Sequence, residues 1–242
     1  MPRFFLDMPS GYSAASLIIG GPDAAHIRRV LRMQSGEALT VCDGRGTDYA
    51  CEIAGFEGDT VRVSVLSQSP TLSEPTLAVT LYQGLPKGDK MEWILQKSVE
   101  LGVTTVVPVA TARSVVRLEG KEEKKRERWQ RIAAEAAGQC GRGIIPRVEA
   151  PLTFAQALDR MRGEKTICFY EGGGRPLKEL VAPKETRLSV LIGPEGGFAD
   201  EEIAALQEVG AAVATLGPRI LRCETAPLAV LSLLMHLTGN LE

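Results

Sequence analysis

The stretch LSVLIGPEGGFADEE, residues 188–202, is the part of the sequence that best indicates the fold. It opens with an apolar run of strand length, continues through a turn rich in Pro and Gly, and ends with acidic residues that favour a helix start. We interpret Asp200 as the N-cap of that helix. Short apolar strands that lead into helices are typical of a parallel sheet buried on both faces. The stretch therefore predicts an α/β domain.

The same alternation of strands and helices extends along most of the chain. The predicted strands are LAVTLYQGL (77–85), TTVVPVAT (104–111), TICFYE (166–171) and AAVATLG (211–217). The predicted helices run from Lys87 or Gly88 to Leu101, from about Lys121 to Cys140, and near 153–162, 199–209 and 225–238. We therefore assign residues 73–242 to the α/β domain.

The N-terminal part of the chain has a different pattern. Residues 38–66 form three short alternating segments, ALTVCDG, TDYACEIAGFEGD and TVRVSVL, which are separated by Gly and Asp turns. This pattern predicts a small antiparallel sheet or barrel over residues 1–72. The polar stretch SQSPTLSEPT (67–76) has the composition of an exposed linker, so we place the domain boundary near residue 73.

Composition narrows the class of protein. Of the 242 residues, 44% are hydrophobic and 24% are charged, as in ordinary globular proteins. No apolar run approaches the roughly 20 residues that span a bilayer, and the start MPRFFLDMPSGY does not resemble a signal peptide. We therefore expect a cytoplasmic protein with no membrane partner. The five cysteines contain no CxxC pair and only two histidines are present, so we predict neither disulfides nor a metal site.

The net charge of -2 hides an uneven distribution of charge along the chain. Residues 84–147 carry 13 basic and 8 acidic side chains, whereas residues 148–242 carry 9 basic and 13 acidic ones. A basic region beside an acidic one is compatible with a local surface that binds nucleic acid.

Three loops that follow predicted strands contain the residues suited to binding a ligand. They are YEGGGRP (170–176), GPEGGFADEE (193–202) and GPRILRCETA (217–226). In open α/β sheets ligands bind beyond the carboxyl ends of the strands, so we expect the three loops to form one cofactor pocket. A single glycine-rich loop could be only a turn, but the third also places Arg219, Arg222 and Glu224 beside an apolar helix, where a turn does not need them. The motifs that bind dinucleotides or nucleoside triphosphates, and the nucleophile elbow of hydrolases, are missing from the sequence.

Three motifs in this order resemble the RsmE family: KGDKMEWILQKSVELGV (87–103), LIGPEGGF (191–198) and LGPRILRCETA (216–226). The resemblance covers essentially the whole chain, since MPRFF and HIRRVLRMQSGE look like the family's N-terminal PUA-like RNA-binding barrel. It implies a methyltransferase of the SPOUT superfamily that uses S-adenosylmethionine to methylate N3 of a uridine in 16S ribosomal RNA. It also implies a trefoil-knotted α/β C-terminal domain and a homodimer, for which the helix 228–237 offers a packing surface.

The resemblance also implies which residues contact the cofactor. One loop supplies Ile192, Gly193, Glu195, Gly196 and Gly197, and the other supplies Leu216, Gly217, Ile220, Leu221, Arg222, Glu224, Thr225 and Ala226. We add Tyr170 and Glu171, which begin the first of the three loops. The chain departs from the family pattern at Cys223, where Thr is usual, and at Gly138, where an acidic residue is common.

Two of these residues have the chemistry that methylation of uridine N3 requires. The methyl carbon of a sulfonium is already electrophilic, so the enzyme mainly has to position the base and assist loss of the N3 proton. We expect Arg222 to stabilise the negative charge that develops on the ring. We expect Glu224 either to orient Arg222 or to accept the proton.

Basic residues in both domains are candidates for RNA contacts, because Lys and Arg bind phosphate. The candidates are Arg3, His26, Arg28, Arg29 and Arg32 in the first domain and Lys87, Lys90, Arg113 and Arg142 in the second. The segment HIRRVLR also has the pattern of an amphipathic turn with Ile27, Val30 and Leu31 facing inward. The expected partner is 16S ribosomal RNA or the small ribosomal subunit. Two alternatives remain open: methylation of another RNA atom, such as a ribose 2'-hydroxyl, and a non-catalytic role in ribosome assembly.

Overall fold

The computed structural model describes residues 1–8, 15–114, 120 and 122–241. The chain divides into two compact units. The first comprises Met1–Glu74 together with Ala137–Ile145, and the second comprises Pro75–Ala136 and Pro146–Glu242. Nothing in the sequence indicated that a segment so far along the chain belongs to the first unit.

The first unit is built on a five-stranded sheet in the order β1-β3-β4-β5-β2. Its elements are β1 (Arg3–Phe5), β2 (Ser16–Ile19), helix α1 (Gly21–Ala25), a π-helical turn (His26–Val30), β3 (Ala38–Cys42), β4 (Thr47–Glu57) and β5 (Thr60–Pro70). All neighbouring strands are antiparallel except β1 and β3. The predicted small antiparallel sheet is confirmed, and β5 extends into the stretch that we interpreted as a linker.

Alternating burial along the strands forms the core of this unit. In β5 the side chains of Val61 and Val63 are fully buried, whereas Arg62 between them is exposed. They pack in one cluster with Ile19 and Leu39 of the neighbouring strands. A period of two along a strand places one face against the core and the other in solvent.

The segment HIRRVLR differs from its predicted arrangement. Ile27 is buried, but Val30 is 65% exposed and Leu31 is 39% exposed, so the expectation that these two face inward is wrong. The physical reason is the π-helical turn, in which the Leu31 N–H donates to the carbonyl of His26, five residues earlier. This wider turn changes which side chains share a face with Ile27.

The second unit contains a parallel sheet and five helices within the described residues. Its strands are β6 (Ala78–Gly84), β7 (Thr105–Ala110), β8 (Arg147–Val148), β9 (Leu152–Thr153), β10 (Thr166–Phe169), β11 (Arg175–Pro176), β12 (Arg187–Ile192) and β13 (Ala212–Thr215). Its helices are α2 (Lys90–Glu100), α3 (Glu122–Cys140, whose last residues belong to the first unit), α4 (Phe154–Met161), α5 (Asp200–Glu208) and α6 (Ala226–Leu237), with a 3-10 turn at Leu177–Glu179. Lys121, the predicted start of α3, lies outside the described residues.

The strand order is β11-β13-β10-β12-β6-β7-β8, with β9 also paired to β7, and every pair is parallel. Ile192 of β12 is aligned with Phe169 of β10 and with Gln83 of β6. The loops that follow these strands therefore start side by side at one edge of the sheet. The predicted α/β class is confirmed, and the trefoil knot stays a prediction.

Both faces of the central strands are covered, as the apolar runs predicted. Four successive residues of β12, Ser189 through Ile192, are buried. Helix α5 begins one residue earlier than expected, since Ala199 and not Asp200 is its N-cap. The Ala199 N–H donates to the carboxylate of Glu202 at 3.0 Å, so a side chain within the first turn replaces the predicted cap.

The described residues include no helix long and apolar enough to cross a membrane. They also include no group of three or more His, Cys, Asp or Glu side chains that could hold a metal ion.

Candidate active site

A cavity of about 670 Å³ lies where β10, β12 and β13 end, and all three predicted loops line it. Its size is that of sites that bind cofactors. Most predicted cofactor residues line it: Tyr170, Glu171, Ile192, Gly193, Glu195, Gly197, Leu216, Gly217, Ile220, Leu221, Arg222, Glu224 and Ala226. Gly196 and Thr225 do not. The structure thus brings residues 193–197 and 217–226 together around one space.

Sequence reasoning missed several residues of the cavity wall. Those beyond the predicted cofactor set are Lys90, Phe169, Gly172, Gly173, Pro194, Thr215, Pro218, Arg219 and Cys223. Phe169 and Thr215 are the last residues of β10 and β13, so their position at strand ends would have indicated them. Lys90 carried no such signal, because it belongs to a helix that follows a different strand.

Two glycines in or beside the wall allow a close approach of backbone to a neighbouring loop. Gly197 has φ +65°, and a Cβ atom there would lie 2.2 Å from a carboxylate oxygen of Glu171. A Cβ on Gly84, at the end of β6, would lie 2.6 Å from the ring of Pro194. By contrast, a Cβ on Gly173 or Gly217 would meet open space, so these glycines leave backbone accessible to a ligand.

Lys90, the first residue of α2, forms ion pairs with two carboxylates of the wall. Its Nζ lies 3.0 Å from Oε1 of Glu195 and 3.2 Å from Oε2 of Glu224. The backbone N–H of Lys87 also donates to Glu195, at 3.1 Å. The hydrogen bonds that the Lys90 ammonium donates to Glu195 and then to Glu224 raise the pKa of Lys90, so the ammonium stays protonated. Burial would raise the pKa of Glu195, but the hydrogen bonds from Lys90 and from backbone N–H groups outweigh it and lower that pKa.

Glu224 is also held by its neighbour in the chain. The thiol of Cys223 donates to Oε2 of Glu224 at 3.1 Å, and this bond, followed by those from the backbone and Lys90, lowers the pKa of the carboxyl. Burial, with the hydrogen bond to Glu224, raises the pKa of the Cys223 thiol to about 12, so it remains a donor. A carboxylate whose charged form is favoured in this way is a weak base.

Arg222 lies at the exposed rim of the cavity. Its carbonyl accepts the N–H groups of Thr225 and Ala226, which positions the start of α6. Among the described residues, Glu224 pairs with Lys90 and not with Arg222, so the expected orientation of Arg222 by Glu224 is not observed. Arg222 is therefore free to contact a substrate at the rim.

Of the nine predicted RNA contacts, Lys90 lies in the cavity wall, six are exposed, and Arg3 and Arg142 are largely buried. His26, Arg28, Arg29, Arg32, Lys87 and Arg113 are exposed. The guanidinium of Arg28 lies over the ring of Phe56 at 5.5 Å and donates to the carbonyl of Gly58. Arg113, in the second unit, donates to the carbonyl of Gly196 at 3.0 Å.

The expectation for Arg3 and Arg142 has to be corrected. Arg3 is bidentate to Asp48, and its side chain is only 14% exposed. Arg142 is 4% exposed and pairs with Glu74 at 2.8 Å. Both guanidinium groups form ion pairs with carboxylates of the first unit. We therefore propose that they stabilise this unit and do not bind RNA.

Glu202 is a further residue that sequence reasoning missed. It is 7% exposed, and its Oε1 accepts the N–H of Ala112 at 2.8 Å. Its other oxygen accepts the N–H of Ala199. The carboxylate therefore joins the loop after β7 to the start of α5.

Comparisons with known proteins agree with this geometry. An RNA methyltransferase domain model matches residues 73–235, and an RNA methyltransferase PUA domain model matches residues 19–66. Ribosomal RNA small subunit methyltransferase E of Bacillus subtilis is 38% identical, over 100% of this chain and 99% of its own length. The protein of that name from Mycobacterium bovis is 31% identical, over 94% of this chain and 89% of its own.

A solved structure is similar as well. The crystal structure of a ribosomal RNA small subunit methyltransferase E from Neisseria gonorrhoeae, bound to S-adenosyl methionine, superposes with a TM-score of 0.88. It is 33% identical, and the similarity covers 98% of each chain. The resemblance carried by the three motifs is thus confirmed, and the chain belongs to the ribosomal RNA small subunit methyltransferase E family.

Proposed function

We propose that this chain transfers the methyl group of S-adenosylmethionine to N3 of a uridine in small-subunit ribosomal RNA. The observation that carries the proposal is the cavity in which the loops 193–197 and 217–226 meet, with Arg222 at its rim. Relatives that are named for methylation of small-subunit ribosomal RNA support the reaction class. The choice of N3 rests on the family resemblance.

The cavity fits the cofactor. Gly173 and Gly217 leave backbone open toward the space, and Ile192, Leu216 and Leu221 give it apolar walls. Exposed backbone donors and acceptors beside apolar side chains suit the recognition of a nucleoside. When bound, S-adenosylmethionine supplies an electrophilic methyl carbon. We assign its binding to the predicted residues that line the cavity.

Arg222 is the residue that we assign to the RNA base. Uridine N3 carries a proton at neutral pH, and the ring becomes negatively charged as this proton passes to solvent water at the exposed rim of the cavity. A guanidinium beside the ring stabilises that charge, and more so where water is excluded. Because the pKa of Glu224 is lowered, we assign the carboxylate to fixing its loop rather than to accepting the proton.

The first unit supplies the RNA-binding surface in this proposal. His26, Arg28, Arg29 and Arg32 are exposed on one short segment of it. Contacts of this kind bind phosphate with little sequence preference and depend on salt. We therefore propose residues 1–72 as the RNA-binding domain and residues 73–242 as the methyltransferase domain, acting in the cytoplasm where ribosomes are assembled.

We also propose a homodimer. Helices α2 and α6 pack against each other, and they leave Trp93 and Leu233 each 44% exposed. Exposed large apolar side chains on packed helices are suited to an interface. Analytical ultracentrifugation at micromolar concentration tests this, and a monomer alone would contradict it.

The function is tested with small ribosomal subunits from a strain that lacks the gene. They are incubated with the protein and methyl-labelled S-adenosylmethionine, and the digested RNA is analysed by mass spectrometry. We expect labelled 3-methyluridine. Arg222→Ala should abolish transfer while cofactor affinity stays within a few fold, whereas Arg187→Ala, exposed at the start of β12, should behave as wild type. A ribose-methylated product, or near-normal turnover of Arg222→Ala, would contradict the proposal.

A further inference from the structure

Two of the three loops that line the cavity follow strands that are not neighbours in the sheet. Residues 193–197 follow β12 and residues 217–226 follow β13, and β10 lies between these strands. Backbone ladder bonds therefore cannot join the ends of β12 and β13. Among the described residues, no other backbone hydrogen bond joins the two loops either, so their connection depends on side chains.

Lys90, which belongs to neither loop, connects the two. It begins the helix that follows β6, which pairs with β12 on the side away from β10. Its single ammonium contacts Glu195 of one loop at 3.0 Å and Glu224 of the other at 3.2 Å. The exposed fractions of the three side chains are 33%, 29% and 21%, so the group is partly shielded from water.

Additional donors hold the two carboxylates in place. Both oxygens of Glu195 accept from the N–H of Lys87, at 3.1 and 3.3 Å. Glu224 accepts from the thiol of Cys223 at 3.1 Å, and that sulfur lies 4.0 Å from the ammonium. Lys90 thus completes a network in which each acidic group has a second donor.

The same geometry speaks against the RNA contact that we expected of Lys90. One positive charge beside two carboxylates leaves a net negative charge at this point of the wall. An RNA phosphate would be repelled by Glu195 and Glu224.

We propose that Lys90 is a positioning residue that holds the loops 193–197 and 217–226 together and so maintains the shape of the cofactor cavity. Arg222 belongs to the second of these loops, two residues before Glu224, and lines the same cavity. This inference rests on the proposed function, since it identifies what shapes its cofactor site.

The test compares Lys90→Met, which keeps the length of the chain but removes the charge, with Lys90→Arg, which keeps the charge. Lys97→Met is the matched control, because Lys97 lies on the same helix and pairs only locally, with Glu100. Hydrogen exchange of the ligand-free protein, followed by mass spectrometry, reports on the two loops. Calorimetry measures the affinity for S-adenosylmethionine, and RNA affinity is measured at two salt concentrations.

For Lys90→Met we expect faster exchange in both loops and cofactor affinity lower by about tenfold or more. RNA affinity should not change, Lys90→Arg should restore most of the cofactor affinity, and Lys97→Met should match wild type. Combining Lys90→Met with Glu224→Gln should cost little beyond Lys90→Met alone, because the two residues act through one contact. If Lys90→Met unfolds the protein, Glu195→Gln and Glu224→Gln serve instead, because each removes one of the two ion pairs of Lys90. Each of them should increase the rate of hydrogen exchange in the two loops, by less than we expect for Lys90→Met.

The proposal is overturned if exchange and cofactor affinity are unchanged in Lys90→Met, or if the effects of Lys90→Met and Glu224→Gln simply add. It is also overturned if Lys90→Met weakens RNA binding and lowers its salt dependence, since that is the behaviour of a phosphate contact. Failure of the proposed function is distinguishable from these outcomes. If the proposed function is wrong, the wild-type protein binds cofactor but does not methylate RNA. Hydrogen exchange in the two loops, compared between wild type and Lys90→Met, still tests the role of Lys90 in that case.

Discussion

The backbone at Gly197 approaches the carboxylate of Glu171 so closely that a Cβ atom on Gly197 would lie 2.2 Å from Oε1. The two residues belong to different loops of the cavity wall. Any side chain at Gly197 therefore has to displace Glu171. The φ of +65° adds a second constraint, because L side chains rarely adopt it.

Gly197→Ala should accordingly weaken cofactor binding by about tenfold or more, since the displaced Glu171 changes the shape of the wall. It should also lower the free energy of unfolding by about 1 kcal/mol, because of the left-handed backbone. Gly210→Ala is the control: Gly210 has φ +88° but no atom within 4 Å of its Cβ position. Gly210→Ala should lower the free energy of unfolding by a similar amount, as measured by urea unfolding. Its affinity for the cofactor, measured by calorimetry, should not change. Equal cofactor affinity in the two variants would contradict the role of the Glu171 contact.

Arg32 is the one described residue other than glycine with a positive φ, at 54°. Its position follows the π-helical turn, where the Met33 N–H donates to the carbonyl of Ile27, and glycine is the residue that such a helix end favours. An arginine there is unfavourable for the backbone, which suggests that its side chain serves RNA binding.

Arg32→Gly should therefore leave the free energy of unfolding unchanged or raise it by up to about 1 kcal/mol, while it weakens RNA binding. The slope of log affinity against log salt should fall by about 1, as for the loss of one phosphate contact. Arg32→Lys keeps the charge and should retain most of the affinity. Unchanged RNA affinity in Arg32→Gly would remove this residue from the interface.

Arg142 and Glu74 form a shielded ion pair in which Glu74 also accepts the N–H groups of Gly143 and Ile144, at 2.8 and 3.0 Å. Arg142→Met leaves the carboxylate without its cation, and breaking such a pair costs about 3–5 kcal/mol. Urea unfolding should show this loss, whereas Arg147→Met, whose side chain is 73% exposed, should change stability by less than about 1 kcal/mol. If folded Arg142→Met instead loses RNA affinity without loss of stability, our assignment of Arg142 is wrong.

The ionisation of Asp48 should make the stability of the fold depend on pH. Burial would raise its pKa, but hydrogen bonds from Arg3 and Thr71 outweigh that effect and lower it. A carboxyl with a lowered folded-state pKa stabilises the fold above its ordinary pKa, and the contribution is lost as the pH falls through the folded value. In Arg3→Met the pKa of Asp48 should rise in a carbon-detected NMR titration, and acid unfolding should begin at a higher pH. An unchanged titration of Asp48 would show that Arg3 does not hold this carboxylate.

Sequence patterns were sufficient for five strands and five helices of the second unit and for most of the cavity wall, whereas the two-residue strands β8, β9 and β11 were not predicted. The runs that became β10, β12 and β13 are short and apolar, and each is followed by a glycine-bearing loop. Those features are local, because a strand buried on both faces needs consecutive apolar residues wherever it lies in the sheet. The segment His26–Val30 shows where local patterns fail: the pattern assumed an α-helical turn, and the wider turn moved Val30 outward.

By itself, the sequence determined the α/β class, the loops that line the cavity and the family, since these depend on residue type and order. Only the tertiary structure decided which charges are paired. Lys90 meets Glu195 and Glu224, and Arg142 meets Glu74, across separations in the chain that no periodicity encodes. An ion pair depends on which strand ends lie side by side, and a basic residue in the sequence has the same charge whether it faces RNA or a buried carboxylate.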